Sequence, residues 1–164
     1  MKAVGSQLRA LRKSASLILT LTDDDERVLM LNRKPHMSFA NSFVFPGGAC
    51  DPQDSQCLEE GASFMEYGKI TAIREPLEET GILLVPSNCI IQYTLSHLKE
   101  LYATRNDKAM AEVVYTTWKE HLSQLEPIAR FVTPQLPKAA RFDCIFYALR
   151  VGVYRINLGR SYRM

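Results

Sequence analysis

The stretch "AIREPLEETGILL", Ala72–Leu84, decides the fold class of this chain. Just before it and within it, apolar residues recur at the i, i+3 and i+7 spacing of one helix face: Ile70, Ile73 and Leu77. This spacing predicts a helix over residues 67–80. The stretch then continues with a glycine and an apolar run, which predicts that the helix stops there and that a strand follows.

The three glutamates of the stretch are close together on this helix. Glu75 and Glu79 are four residues apart and stack on one face, and Glu78 is their neighbour. At ~5 Å and an effective dielectric constant of ~20, each pair repels by about 3 kcal/mol. A partly buried cluster of this kind either takes up protons or binds a cation. Oxygen ligands favour Mg²⁺ or Mn²⁺ over zinc, and such ions usually bind substrate phosphates. The alternative is a plain solvated acidic face.

Pro76 stands among these glutamates and disfavours a regular helix. Inside a helix it removes one backbone hydrogen bond and clashes with the preceding turn, at a cost of about 3 kcal/mol. It also biases Glu75 away from helical angles. A helix that begins near residue 75 avoids this cost, but it separates Ile70 and Ile73 from their partner Leu77.

The flanking segments predict a mixed sheet. The runs "SASLILTLT" (14–22) and "RVLMLNRK" (27–34) surround an acidic turn and predict a hairpin. A short strand at 42–45 is stopped by Pro-Gly-Gly. Further strands are predicted at 82–85, 89–94, 130–133 and 141–151, and two helices within 96–125. Because strands and helices do not alternate strictly, the fold class is α+β, with a mixed sheet packed on helices.

Composition excludes several classes of protein. A chain of 164 residues suits one domain, and a net charge of +2 gives no footprint for nucleic acid. Its apolar runs are too short to cross a bilayer. The cysteines form no C-x-x-C pair and indicate reduced thiols inside a cell: Cys50, Cys57, Cys89 and Cys144.

Residues 1–13 are basic, and the first acidic residue of the chain is Asp23. Two interpretations stay open: an organellar transit segment, or a short solvated helix leading into the first strand. We therefore divide the chain into an N-terminal extension (1–13), one domain (14–151) and a divergent tail (152–164).

The segment "REPLEETGI" resembles the core of the Nudix box, which reads G, five residues, E, seven residues, R-E-U-x-E-E-x-G-U, where U is bulky and apolar. Seven residues separate Glu66 from Arg74, so Glu66 matches the first glutamate of the box. The box glycine then falls at Glu60, so Gly48 in "FPGG" is the better candidate and requires a 12-residue insertion.

This resemblance implies a Nudix-like α/β/α sandwich with a mixed β-sheet between helices. It implies that Mg²⁺ or Mn²⁺ is held by four residues: Glu75, Glu78, Glu79 and, through its carbonyl, Gly48. Arg74 would orient the acidic cluster, and Glu78 would activate the attacking water. Arg33 would contact the diphosphate, or is an ordinary surface arginine.

Two further segments, "FVFPGGACDPQDS" and "FVTPQLPKAARFDCIFYAL", are similar to the acyl-coenzyme A diphosphatase branch, the nucleoside diphosphate-linked moiety X motif 19 type. The branch implies coenzyme A or acyl-coenzyme A as substrate, and a peroxisome or mitochondrion as location, with the cytoplasm as an alternative. The tail looks unlike the family, as the end of a truncated or alternatively spliced product would. Two other functions stay open: hydrolysis of another nucleoside diphosphate derivative, and a non-catalytic or impaired Nudix-like binding protein. The oligomeric state is not predicted.

Overall fold

The computed structural model describes residues 10–22, 27–33, 35, 41–86, 89–92, 107–135 and 140–152. The strands within these ranges are β1 (Leu11–Thr22), β2 (Arg27–Val28), β3 (Leu31–Asn32), β4 (Phe43–Val44), β5 (Gly47–Ala49), β6 (Ile82–Val85), β7 (Cys89–Gln92), β8 (Glu126–Val132) and β9 (Arg141–Gly152). The helices are α1 (Pro52–Gln56), α2 (Phe64–Thr80) and α3 (Asp107–Trp118), followed by a 3₁₀ turn, Leu122–Gln124.

The main sheet is mixed. Its strand order is β2-β1-β9-β8, and β5 also pairs with β1. β1 and β9 run parallel over their whole length, from Leu11 opposite Arg141 to Thr22 opposite Gly152. β2, β5 and β8 pair antiparallel with their neighbours. The predicted α+β class with a mixed sheet is therefore confirmed.

Helix α2 packs its apolar face on β1 and β9. Alternate residues of the two strands point to it, because side chains of a strand alternate between the two faces of a sheet. The largest fully buried side chains of this core include Leu17, Ile70, Ile73, Leu77, Trp118 and Tyr147. Two polar contacts tie the core together: Tyr147 donates to the Met65 carbonyl (2.8 Å), and Trp118 donates to the Leu84 carbonyl (2.7 Å).

The predicted helix over 67–80 is confirmed, and α2 begins three residues earlier, at Phe64. Its start is set by a capping box between Ser63 and Glu66. It ends at Gly81, whose φ of 77° is left-handed and whose N–H donates to the Leu77 carbonyl. Pro76 is buried inside this continuous helix, so the alternative start near residue 75 is wrong.

The hairpin between β1 and β2 is confirmed, with Thr20 opposite Val28. Beyond β2 the chain leaves β1, and β3 pairs instead with β4. β6 and β7 form a second hairpin, and α3 is the second of the two helices predicted within 96–125. The first of those helices, the tail beyond residue 152 and the first nine residues lie outside the described ranges. Over the described ranges, no helix is long and apolar enough to span a membrane.

Candidate active site

Arg74 is the centre of the site and is almost fully buried, with 6% of its side chain exposed. Its Nε and Nη2 donate to the two carboxylate oxygens of Asp54, at 2.9 and 3.1 Å. Its Nη1 lies 2.8 Å from Glu78 Oε1 and 3.1 Å from Glu75 Oε1. Burial alone lowers the pKa of Arg74, but Asp54 and the two glutamates raise it above its ordinary value. Arg74 therefore stays charged and joins three carboxylates.

Asp54 was not identified from the sequence, although it is fully buried. It is the third residue of α1, where it forms a capping box with Asp51, and it accepts the Asp51 N–H at 3.0 Å. It stands six residues after Gly48, which is the spacing between the glycine and the first acid of the Nudix box. The capping signature "DPQD" combined with that spacing is the signal that could have located it.

Glu66, which its spacing from Arg74 identifies as the first glutamate of the box, does not pair with Arg74 in the way that Asp54 does. Its carboxylate accepts the Ser63 N–H at 2.7 Å, and this hydrogen bond lowers the pKa of Glu66. The side chain is exposed at the first turn of α2. The 12 extra residues therefore lie between Asp54 and Arg74, and the carboxylate that pairs with the arginine is Asp54.

The segment Gly47–Gly48 brings the backbone against the glutamates. A Cβ atom on Gly48 would lie 2.5 Å from the carboxylate atoms of Glu75. The Gly47 N–H donates to Glu79 Oε2 at 3.3 Å. A Cβ on Gly47 would lie 2.5 Å from the Ala15 carbonyl of β1. Gly47 is thus required by its close approach to the backbone of β1, whereas the neighbour of Gly48 is the flexible carboxylate end of Glu75.

The electrostatics of the cluster reflect its burial and its excess of negative charge. Burial raises the pKa of Glu75 to about 7; Arg74 opposes this shift, and the nearby charges of Glu78 and Glu79 add to it. Burial also raises the pKa of Glu79, against the effects of the Gly47 N–H and the positive charge of Arg33. At neutral pH without a cation, Glu75 is therefore partly protonated.

The positive charge of Arg33 acts on Glu79 and lowers its pKa, so Arg33 is within electrostatic range of the cluster. Its backbone is fixed by two hydrogen bonds: its N–H donates to the Ser42 carbonyl, and its carbonyl accepts the Asn41 N–H, both at 3.1 Å. Contact between Arg33 and a diphosphate stays a prediction.

The residues fit a hard cation in their chemistry. The donors are carboxylate and backbone oxygens. Because Gly48 has no side chain, the Glu75 carboxylate lies directly beside its backbone. Within the described ranges, however, no three acidic, histidine or cysteine side chains converge as a ready-made metal site. Arg74, instead, lies between Glu75 and Glu78.

Comparison with solved structures identifies proteins of similar fold. A NUDIX hydrolase from Alicyclobacillus acidocaldarius is similar with a TM-score of 0.62 and 26% identity, over 87% of this chain and 71% of that one. The chain has a Nudix-type fold. A MutT/nudix family protein from Enterococcus faecalis shares the fold with a TM-score of 0.50 and 17% identity, over 93% of this chain and 41% of that one. No family model and no curated protein matches the sequence.

Proposed function

We propose that this chain is a divalent-metal-dependent hydrolase of a diphosphate linkage, and that its substrate is coenzyme A or acyl-coenzyme A. Cleavage would give 3′,5′-ADP and (acyl-)4′-phosphopantetheine. The observation that carries the proposal is the approach of Gly47 and Gly48 to the carboxylates of Glu79 and Glu75. This approach brings the glutamate carboxylates next to backbone without side chains, and the positive charge of Arg33 also acts on Glu79.

The glutamates and Arg74 have distinct roles in this proposal. Glu75, Glu78 and Glu79, with the Gly48 carbonyl, would hold Mg²⁺ or Mn²⁺. When bound, such an ion polarises phosphate oxygens and lowers the pKa of a water. Glu78, with 25% of its side chain exposed, is the most solvent-accessible acid paired with Arg74 and would accept the proton of the attacking water. Arg74 orients Glu78, and Arg33 would contact the diphosphate of the substrate.

The choice of coenzyme A rests on the two sequence segments that resemble the acyl-coenzyme A branch. Parts of the second segment contact each other: the Thr133 N–H donates to the Phe142 carbonyl (2.8 Å), and the Phe142 N–H donates to Thr133 Oγ1 (3.1 Å). The "FVT" and "RFD" pieces are thus one structural unit at the end of β8 and β9. A peroxisomal or mitochondrial location is part of the same proposal.

The direct test is hydrolysis of coenzyme A and of ADP-ribose with Mn²⁺ or Mg²⁺, with products identified by mass. We expect phosphopantetheine and 3′,5′-ADP, and a loss of at least about 100-fold in kcat for Glu78→Gln. Glu66→Gln is the matched control, because Glu66 is an exposed capping residue on the same helix. Cleavage of ADP-ribose without cleavage of coenzyme A would reject the coenzyme A substrate and retain the hydrolase.

Gly48→Ala tests the contact with Glu75. The added methyl would lie 2.5 Å from the Glu75 carboxylate, which is the flexible end of its side chain and must move away. We expect about a 10–100-fold loss of kcat with little change in unfolding free energy, because backbone atoms need not shift. Unchanged kcat in a folded Gly48→Ala protein would remove Glu75 from the proposed site.

A non-catalytic binding protein is the second candidate, and two observations favour it. Pro76 interrupts the hydrogen bonding of α2 next to Glu75, and Arg74 already neutralises two of the glutamates. Pro76→Ala separates the candidates. A large gain in hydrolysis would identify an impaired enzyme, and unchanged hydrolysis by an already active protein would show that α2 tolerates the proline.

A further inference from the structure

A buried hydroxyl contacts the carboxylate that holds Arg74. Thr71 Oγ1 donates to Asp54 Oδ2 at 2.7 Å, and neither residue is exposed to solvent. A threonine inside a helix usually donates to the carbonyl four residues earlier. Here that acceptor, the Tyr67 carbonyl, is 3.4 Å away. The single hydroxyl proton of Thr71 is therefore donated to Asp54. Asp54 accepts four hydrogen bonds in all: one from Thr71, one from Asp51 and two from Arg74.

These bonds determine the direction of the guanidinium group. Its plane is fixed by the two parallel bonds to Asp54, because a bidentate arginine–carboxylate pair has one preferred geometry. Nη2 also donates to the Ala49 carbonyl at 3.1 Å. Nη1 is thereby directed at Glu78 and Glu75. A rotation of the Asp54 carboxylate would rotate Arg74 and move the hydrogen atoms that hold these two glutamates.

We propose that Thr71 is a positioning residue for the glutamate cluster: its hydroxyl holds the Asp54 carboxylate, and through it the direction of Arg74. The inference rests on the proposed function where it concerns catalysis, but the positioning itself concerns the protein alone. Spacing in the sequence assigns the pairing with Arg74 to Glu66. In the structure Asp54 of α1 makes that pairing, and Thr71 of α2 contacts Asp54.

Thr71→Val is the decisive variant, because valine keeps the shape and β-branching of threonine and removes only the hydroxyl. Thr71→Ser is the conservative rescue, since it keeps the hydroxyl. Substitution of Asp54 removes the bidentate partner of the buried Arg74 charge, and the resulting loss of stability would obscure an effect on positioning. Glu66→Gln is the control on the same helix.

Three measurements are made on each folded protein: the Mn²⁺ dissociation constant, kcat and KM separately, and the ¹⁵N–¹H resonance of Arg74 Nε with its exchange rate. For Thr71→Val we expect about 10-fold weaker Mn²⁺ binding, a similar loss of kcat with KM little changed, and faster exchange at Arg74 Nε. Thr71→Ser and Glu66→Gln should stay within about twofold of the parent protein.

A purely structural role would lower the melting temperature of Thr71→Val and leave these measurements unchanged well below that temperature; that result would overturn the inference. If the parent protein neither binds Mn²⁺ nor cleaves a diphosphate, the proposed function fails. The exchange rate at Arg74 Nε then decides the positioning alone: faster exchange in Thr71→Val supports it, and unchanged exchange overturns it.

Discussion

Two buried aspartates of this protein each hold an arginine through two hydrogen bonds, but the two arginines lie in different environments. Asp54 pairs with Arg74, whose side chain is 6% exposed. Asp143 pairs with Arg130, at 2.7 Å for both bonds, and 57% of the Arg130 side chain is exposed. Lys13 also pairs with Asp143, and its Nζ lies 4.5 Å from the ring centroid of Phe64.

The comparison shows that the same pair of residue types can serve two purposes. Around Arg74 the acids outnumber the base, since Asp54, Glu75 and Glu78 share one guanidinium. Around Asp143 two cations share one carboxylate, and both remain accessible to water. A cation that loses its carboxylate can be hydrated at the second centre, whereas Arg74 at the first centre cannot. The Asp54 centre is thus suited to hold a reactive cluster, and the Asp143 centre to join β1, β8 and β9.

The largest expected effect is that of Asp54→Asn on stability. The substitution leaves the Arg74 charge buried without its bidentate partner, which costs about 3–5 kcal/mol of unfolding free energy. Urea denaturation of the two proteins measures it. A loss below about 1 kcal/mol would mean that Glu75 and Glu78 alone compensate Arg74, and the two centres would then not differ as described.

Asp143→Asn should cost less, about 1–2 kcal/mol near pH 7, because the two cations it releases can be hydrated. The substitution should also change the pH dependence. Hydrogen bonds from Arg130 lower the pKa of Asp143 from 3.8 to about 2, with a further contribution from Lys13. A carboxylate whose pKa is lower in the folded state stabilises the protein above pH ~4 and loses that contribution as the pH falls toward 2.

Urea denaturation midpoints at pH 6, 4 and 2.5 measure this dependence. The parent protein should lose more stability between pH 4 and 2.5 than Asp143→Asn does. Equal losses in the two proteins would show that Asp143 does not titrate with the lowered pKa.

Helix α2 and its ends were predictable because their signals are local. The apolar spacing of Ile70, Ile73 and Leu77, and the glycine that follows, are contained within a few turns of helix. The strands around residues 14–22 and 141–151 were predictable for the same reason. Their parallel pairing was not, because it joins segments that are about 130 residues apart and no local pattern encodes the register.

The site was predictable only in part. The glutamates and Arg74 share one helix, so their spacing alone placed them together. Asp54 was missed, because 20 residues separate it from Arg74 and the insertion placed Glu66 at the expected spacing. Pro76 remains within α2 because tertiary packing of the buried helix outweighs the local preference against proline.

Arg130→Met tests the exposed partner and should cost little unfolding free energy, because ion pairs of exposed side chains contribute little to stability. Methionine keeps part of the aliphatic stem, and Lys13 remains paired with Asp143. Urea denaturation at pH 7 measures the change, and Arg74→Met is the matched comparison, expected to cost several times more. Similar losses in the two variants would show that exposure of the arginine does not decide the strength of these pairs.

The smallest expected effect is that of salt. At 1 M ionic strength the screening length falls to about 3 Å, compared with about 10 Å at 0.1 M, and exposed charges are screened much more than buried ones. The stability difference between the parent protein and Arg130→Met should therefore shrink slightly in 1 M NaCl. The difference for Asp54→Asn should stay within error, because both members of the Asp54–Arg74 pair are buried. Equal salt sensitivity of the two differences would mean that water and ions reach Arg74, and that its contacts with the glutamates are weaker than burial implies.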